Sequence, residues 1–301
     1  METRISIIGS GNIAHSLIPN FIKSGFTVDS IVSRNYESAK NLALQNKIEI
    51  FSNHISDVYK NSEYYILAVN DDQIKNAADE LSMLEFEFLR KKFIHLSGSQ
   101  NIEALNSLKN KGGKTASIHF MKSFPNHNIQ SLVNCFASIE TEEELIYNEL
   151  QNFTRKLNAK PFRLNSENKI LYHLMGVFAL NFTSANFANT EIISNFISND
   201  LPDTSEIFGS NTQEVVRNYI KEKNLYNSLS GPIKREEYSV IESHLNQIEK
   251  LNDSVLYLSY IANSLSIIKL IEKEKEGSSE SFSKIKKLLI DRLKMIDLTK
   301  I

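Results

Sequence analysis

Six residues near the start of the chain, Gly9-Ser10-Gly11-Asn12-Ile13-Ala14, constrain its fold more than any other feature. They lie between a short apolar strand, Arg4 to Ile8, and a helical pattern with Ile13, Leu17, Ile18, Phe21 and Ile22 on one face. In that setting the pattern has a physical reading. Gly9 makes a tight turn, Gly11 lets the backbone approach a pyrophosphate, and Ala14 lets helix and strand pack closely. The helix start then directs free N–H groups and the positive dipole end at phosphate. A dinucleotide is the expected ligand, with Gly9, Ser10, Gly11, Asn12, Ile13 and Ala14 as its first contacts.

The pattern that follows agrees. Thr27 to Val32 reads as a strand and Tyr36 to Gln45 as a helix. Tyr64 to Val69 is an apolar run of the kind found in strands covered on both faces. Phe93 to Leu96 and Thr115 to His119 are further strands, and the apolar run Val133 to Ala137 reads as another. Strands alternate with helices to about residue 164, which predicts an α/β Rossmann domain with a doubly wound, mostly parallel sheet. After Leu164 only helical patterns remain: about Ser166 to Asn195, Thr212 to Glu222, Glu237 to Lys250, Asp253 to Glu274 and Ser281 to Met295. Two domains are predicted: a Rossmann domain over 1–164 and an all-α C-terminal domain over 165–301 for substrate binding and dimerisation.

The end of the second strand speaks to cofactor choice. Folds that bind NAD usually carry an acidic residue there to hold the ribose 2′-hydroxyl. Here the strand ends Ile31-Val32-Ser33-Arg34, and Asp29 comes too early. Ser33 can donate to a 2′-phosphate, and Arg34 can pair with it and stack on adenine. NADP(H) is the expected cofactor. Beyond the third strand, Val69 and Asn70 are expected on its nicotinamide side. For Asp71 and Asp72 the expected role is capping of the next helix.

Composition removes several classes. A net charge of −2 offers no broad basic field for nucleic acid. One cysteine, Cys135, excludes an intrachain disulfide and a multi-cysteine zinc site; it reads as a small buried hydrophobe. There is no His-Glu-x-x-His and no histidine pair at helical ligand spacing, so no metal is expected. The start lacks the pattern of a secretion signal, and no apolar run is read as approaching the ~20 residues of a membrane span. A cytoplasmic protein is expected.

Further segments carry a family resemblance. His95-Leu96-Ser97-Gly98 ends one strand, and Ser117-Ile118-His119-Phe120-Met121-Lys122-Ser123-Phe124 ends the next. Tyr172 to Phe182 (YHLMGVFALNF) opens the helical part, and Leu229 to Arg235 (LSGPIKR), followed by His244-Leu245, lies within it. Together with the Gly9–Ala14 loop and Ser33-Arg34, this resembles the Rossmann-like proteins that carry domain of unknown function 2520. Those proteins are similar in architecture to pyrroline-5-carboxylate reductase, ketopantoate reductase and the hydroxyacid dehydrogenases. The resemblance implies an NADP-dependent oxidoreductase and a homodimer. The chain departs from the pattern in having Asn70 and Phe120 where proline is usual, Lys122 where glutamine is usual, and Glu236-Glu237 where Gly-Asp is usual.

Hydride transfer to C=O or C=N needs a proton donor and orienting groups near the acceptor atom. His119, at a strand's C-terminal end, and His173, on the first helix after the sheet, suit the proton role, and Tyr172 is an alternative acid. Lys122 and Asn181 are expected orienting groups, and Ser97 is expected beside the cofactor. Asn181 lies eight positions after His173, about 80° around an ideal helix. His95 is expected to hold the Ser97-Gly98 loop, and His244 to be structural. The expected reaction joins NADP(H) to a small carbonyl or imine compound at an interdomain cleft. The alternative is a Rossmann scaffold that senses a nucleotide without turnover. Long apolar stretches such as Leu256 to Leu270 suggest a second copy as partner.

Overall fold

The computed structural model describes residues 3–85, 87–197 and 200–296. They form two compact units, Met1–Phe182 and Thr183–Ile301.

The first unit is built on a twisted sheet of eight strands. These are β1 (Arg4–Ile8), β2 (Thr27–Val32), β3 (Ile50–Ser52), β4 (Tyr64–Leu67), β5 (Lys92–His95), β6 (Lys114–Phe120), β7 (Phe136–Glu140) and β8 (Lys160–Arg163). Their spatial order is β3-β2-β1-β4-β5-β6-β7-β8. Every neighbouring pair is parallel except β6 and β7. The first six strands have the dinucleotide-binding order, and its switch point lies where β1 meets both β2 and β4. Six helices cover the faces: α1 (Asn12–Lys23), α2 (Tyr36–Gln45), α3 (Asp71–Ser82), α4 (Asn106–Asn110), α5 (Glu144–Lys156) and α6 (Lys169–Gly176).

Burial explains the layering. All four residues of β4 are buried, as a central strand with helices on both faces requires. One side of the sheet packs Leu17, Ile18 and Phe21 of α1 with Leu150 and Phe153 of α5; the other packs Ile74, Ala78 and Leu81 of α3. Asp29 is buried and serves this structure, pairing with Arg4 and accepting from Ser62, so it is no ribose ligand. The Val133–Ala137 run splits: β7 begins at Phe136, and Cys135 stands just before it, half-buried and free.

The helix-only texture begins after β8, as the residues predict, while the compact unit that holds the sheet continues through α6 to Phe182. A single π-helical turn, Val177–Asn181, follows α6 directly. Beyond it come α7 (Phe182–Ser194), α8 (Thr204–Glu222), α9 (Leu225–Ser228), α10 (Tyr238–Leu251), α11 (Ser254–Glu274) and α12 (Glu280–Lys294). Helix α8 starts well before the predicted Thr212. Asp203 caps it by accepting from the Ser205 amide.

Two expectations need correction. Helix α11 is long and apolar enough to cross a membrane, by length and composition only. It also does not lack partners: Leu256, Tyr257, Ile261, Ile268 and Ile271 are buried in a core shared with α10 and α12. On α7, α8 and the short α9 no residue is buried among those described; α7 and α8 are the long ones.

Candidate functional site

The loop from Gly9 does what its residues predict locally. Gly9 has φ +114°, and a Cβ there would collide with the Ala68 carbonyl. Its amide donates to the Val32 carbonyl at 2.7 Å, tying the ends of β1 and β2 together. A Cβ on Gly11 would meet nothing within 4 Å, so open space lies above the N-terminus of α1. A cleft of about 600 Å³ is lined by Gly9, Ser10, Gly11, Ser33, Arg34, Val69 and Asn70, with Gln73 and Met83 on α3 and its C-terminal edge. These groups fit a phosphorylated dinucleotide: glycine backbone and a helix start for pyrophosphate, a serine and an arginine at the β2 edge.

The edge of the cleft at the end of β2 is organised by hydroxyls. Ser10 is hydrogen-bonded to Ser33 and Ser38, each at 2.8 Å. Arg34 donates to Gln73 at 3.0 Å across the cleft. The side chains of Asn12 and Ile13 point away from the cleft lining, which leaves their backbone N–H groups at the start of α1. Asn12 donates to the Phe124 carbonyl at 3.0 Å, and Ile13 packs on the sheet core. Ser16 and Asn20 on the next turns also bond the 128–130 backbone, so α1 holds the segment that leaves β6.

Asp71 does not cap α3. The capping position is Asn70, and the Asp71 carboxylate instead accepts from Ser97 at 2.7 Å and from Ser99 at 2.5 Å. The cleft wall at Val69 and Asn70 is thus bound, one residue on, to the loop after β5. His95 supports the same loop from beneath, its Nδ1 accepting from the Ser97 amide at 3.2 Å.

Gly98 brings the proton-handling candidates together. A Cβ at this position would lie 2.8 Å from Cε1 and Nε2 of His119 and 2.9 Å from Cδ2 of His173. Only glycine lets the loop pass between the two imidazoles. The ring centroids of His119 and His173 are 6.2 Å apart, and Tyr172 meets His119 edge-on at 5.7 Å. Tyr172 is the packed member of its pair, against Phe162 at 5.5 Å, while His173 is exposed.

Electrostatics separates these groups. Burial pushes His119 down to about 4, helped by the neighbouring His173 and the Lys169 charge and opposed by Asp71. His119 is therefore neutral at pH 7, with Nδ1 buried and without a hydrogen-bond partner among the described residues. Burial, with the Lys169 charge second, lowers His95 to about 3. Burial raises the Tyr172 phenol to about 12 despite the Ser138 hydroxyl beside it. An imidazolium at His119 is disfavoured, but a neutral imidazole can still donate a hydrogen bond to a developing oxyanion or amide.

The remaining candidates separate. Lys122 lies past the end of β6, close enough for its charge to oppose the burial that raises the Cys135 thiol. Asn181 ends the π turn. A π turn takes in one residue more than an α turn, so eight positions count as about seven, and Asn181 returns to within about 20° of the His173 face. His244 bonds the Tyr260 hydroxyl at 3.0 Å within the second unit. Among the described residues, no group of three or more His, Cys, Asp or Glu side chains is placed to hold a metal.

Sequence reasoning passed over Asp71 as a loop anchor, Ser99, Gln73 and a buried pair, Lys169 and Glu140. A lysine opening the apolar run Ile170-Leu171, and a glutamate ending the apolar strand β7, were the available signals.

Comparisons with known proteins agree with this geometry. Residues 4–89 match the family described as NADP oxidoreductase coenzyme F420-dependent. Residues 135–266 match domain of unknown function 2520. No curated protein matches the chain. Among solved structures, the fold is similar to a Bacteroides fragilis protein described as an NADP oxidoreductase (22% identity, TM-score 0.75, covering 88% of this chain and 98% of that one). It is also similar to an imine reductase from Myxococcus stipitatus in complex with NADP+ (14%, 0.65, 95% and 99%). A pyrroline-5-carboxylate reductase from Coxiella burnetii shares it as well (15%, 0.55, 90% and 99%). The chain thus joins a segment that matches an NADP oxidoreductase family to a segment that matches domain of unknown function 2520, on a Rossmann-like fold.

Proposed function

We propose that this oxidoreductase reduces a small carbonyl or imine compound, with the substrate on the open side of Gly98, next to His119 and His173. The observation that carries this reading is the passage of Gly98 between the two imidazoles, on a loop bound by Asp71 to the wall of the dinucleotide cleft. NADPH, held by the Gly9–Ala14 loop with Ser33 and Arg34, supplies a hydride when bound. The hydride goes to the carbon of the C=O or C=N bond, and the exposed His173 hands a proton to its oxygen or nitrogen. Neutral His119 donates a hydrogen bond that orients the acceptor, and Asn181, returned to the His173 face by the π turn, orients the far side of the substrate. Tyr172 packs and shapes the floor, and Lys122 holds the outer edge. The imine reductase among similar folds favours C=N as the first substrate class to try.

The test pairs binding with turnover. NADPH, NADP+, NADH and NAD+ are titrated against the wild type and Arg34→Ala, and NADPH consumption is followed with cyclic imines and with ketone–amine mixtures. Preference for the phosphorylated pair, reduced about tenfold or more in Arg34→Ala as expected for a lost charge-assisted contact, together with turnover that His173→Ala suppresses, supports the reading. NADPH binding without turnover across the panel moves the weight to a nucleotide-sensing scaffold.

The assembly reading is a homodimer formed through α7 and α8. These helices bury no residue while carrying exposed Phe187, Ile193, Val215, Val216 and Ile220. A helix with no covered apolar face has little to stabilise it in water, and a second copy supplies that cover.

A further inference from the structure

Beneath the histidines lies an ion pair that the proposed reaction does not use. Lys169 and Glu140 are 1% and 4% exposed, and their charged atoms are 2.6 Å apart. The ammonium also donates to the Ser117 hydroxyl on β6. Glu140 is fully engaged from its other side, accepting from the Ser166 hydroxyl at 2.6 Å and the Ile102 amide at 3.2 Å. Two charges leave water here at considerable cost, and an apolar pair of the same size is often no less stable. Stability alone is thus a poor account of them.

Their placement suggests another. Lys169 is the first residue of α6, so Tyr172 and His173 follow it at the third and fourth positions, one turn on and on the same side. Its partners lie on β6, two residues before His119, and on β7. The ammonium therefore ties the helix carrying His173 to the strand carrying His119. It stands among four other ionisable groups on four elements: Glu140, Asp71, His95 and His119.

We propose that Lys169 is a positioning residue that, through Glu140 and Ser117, sets the first turn of α6 so that His173 and His119 face one another across Gly98. It touches neither cleft nor substrate. Its charge has a second consequence, since a cation beside His119 and His95 favours their neutral forms. The proposal rests on the reductase reading for its kinetic consequence but not for its structural one.

Removing Lys169 alone strands a buried carboxylate and risks the fold, so the decisive variant is Lys169→Met/Glu140→Gln. It removes both charges and keeps the acceptor for Ser166 and Ile102. Lys169→Arg is the conservative companion. Circular dichroism and NADPH titration report folding and the cofactor cleft, and imidazole ¹⁵N spectra of His119 and His173 from about pH 3.5 to 8, a window that contains the His119 value of about 4, report the site without turnover. For the double variant the expected results are NADPH affinity within about threefold of wild type, displaced His173 resonances and a His119 titration moved upward. With an imine substrate, kcat falls at least about tenfold, as misplacement of reacting groups predicts, and KM changes little. Lys169→Arg restores part of kcat. Wild-type imidazole spectra with wild-type kcat in the double variant overturn the proposal. If the wild type itself turns over no imine or ketone, the reductase reading fails, and the imidazole spectra alone decide whether Lys169 positions the site.

Discussion

Lowering the pH from 7 to 5 acts on two buried imidazoles, and its cost can be worked from their surroundings. His119 and His95 have folded values of about 4 and about 3 against 6.5 when unfolded, because burial disfavours the charged form and the Lys169 charge adds to it. A depressed value means that the folded state binds fewer protons than the unfolded chain between the two values. The stabilising contribution is therefore present above pH 6.5 and is lost as pH falls towards 4. At pH 5 the unfolded imidazole is 1.5 units below its midpoint, which is about 2 kcal/mol per histidine and about 4 kcal/mol for the two. Urea unfolding of the full chain at pH 5, 6, 7 and 8 measures this, at one protein concentration. His119→Leu removes one titrating group, so its loss between pH 7 and 5 is expected to be smaller than wild type by about 2 kcal/mol, or about 4–8 °C in a thermal melt. Parallel pH curves for wild type and His119→Leu would refute the reasoning, because they would mean that His119 titrates alike in both states.

Three further outcomes follow from the same structure. Gly98→Ala places a methyl group against both imidazoles, so imine turnover is expected to fall by about 100-fold with NADPH binding retained; unchanged turnover would mean that the rings yield freely. Gly9→Ala combines an unfavourable φ with a collision at the Ala68 carbonyl and is expected to lower stability by about 3 kcal/mol or more, seen as a lowered urea midpoint and lost NADPH binding. Val216→Asp with Ile220→Asp charges the exposed face of α8, and light scattering at micromolar concentration is expected to change from dimer mass to monomer mass. A wild-type monomer would sink the dimer reading.

What could be read in advance was local. The Gly9–Ala14 loop, the Ser33-Arg34 edge and the change from strand alternation to helices are contiguous patterns whose meaning depends on backbone geometry a few residues long. They determined the Rossmann sheet, the glycine turn at the start of α1 and the helical second half, and the candidates His119, His173 and Tyr172 were legible from where strands end and a helix begins. The rest depended on pairs far apart in the chain. Asp71 was read as a cap because a carboxylate at a helix start usually is one; its bonds to Ser97 and Ser99 appear only when the loop after β5 comes to lie over α3. Lys169 meets Glu140 and Ser117, 29 and 52 positions away, only because β6 and β7 pair antiparallel. Gly98 became a spacer between two imidazoles only when α6 packed over the sheet. An ideal helix puts Asn181 about 80° from His173, and the π turn shifts its phase by one residue, about 100°, to the other side of the His173 direction. Local sequence determined which backbone could bind the nucleotide; tertiary packing decided which side chains surround the space for a substrate, because buried charges and close approaches take their partners from whatever the fold brings beside them.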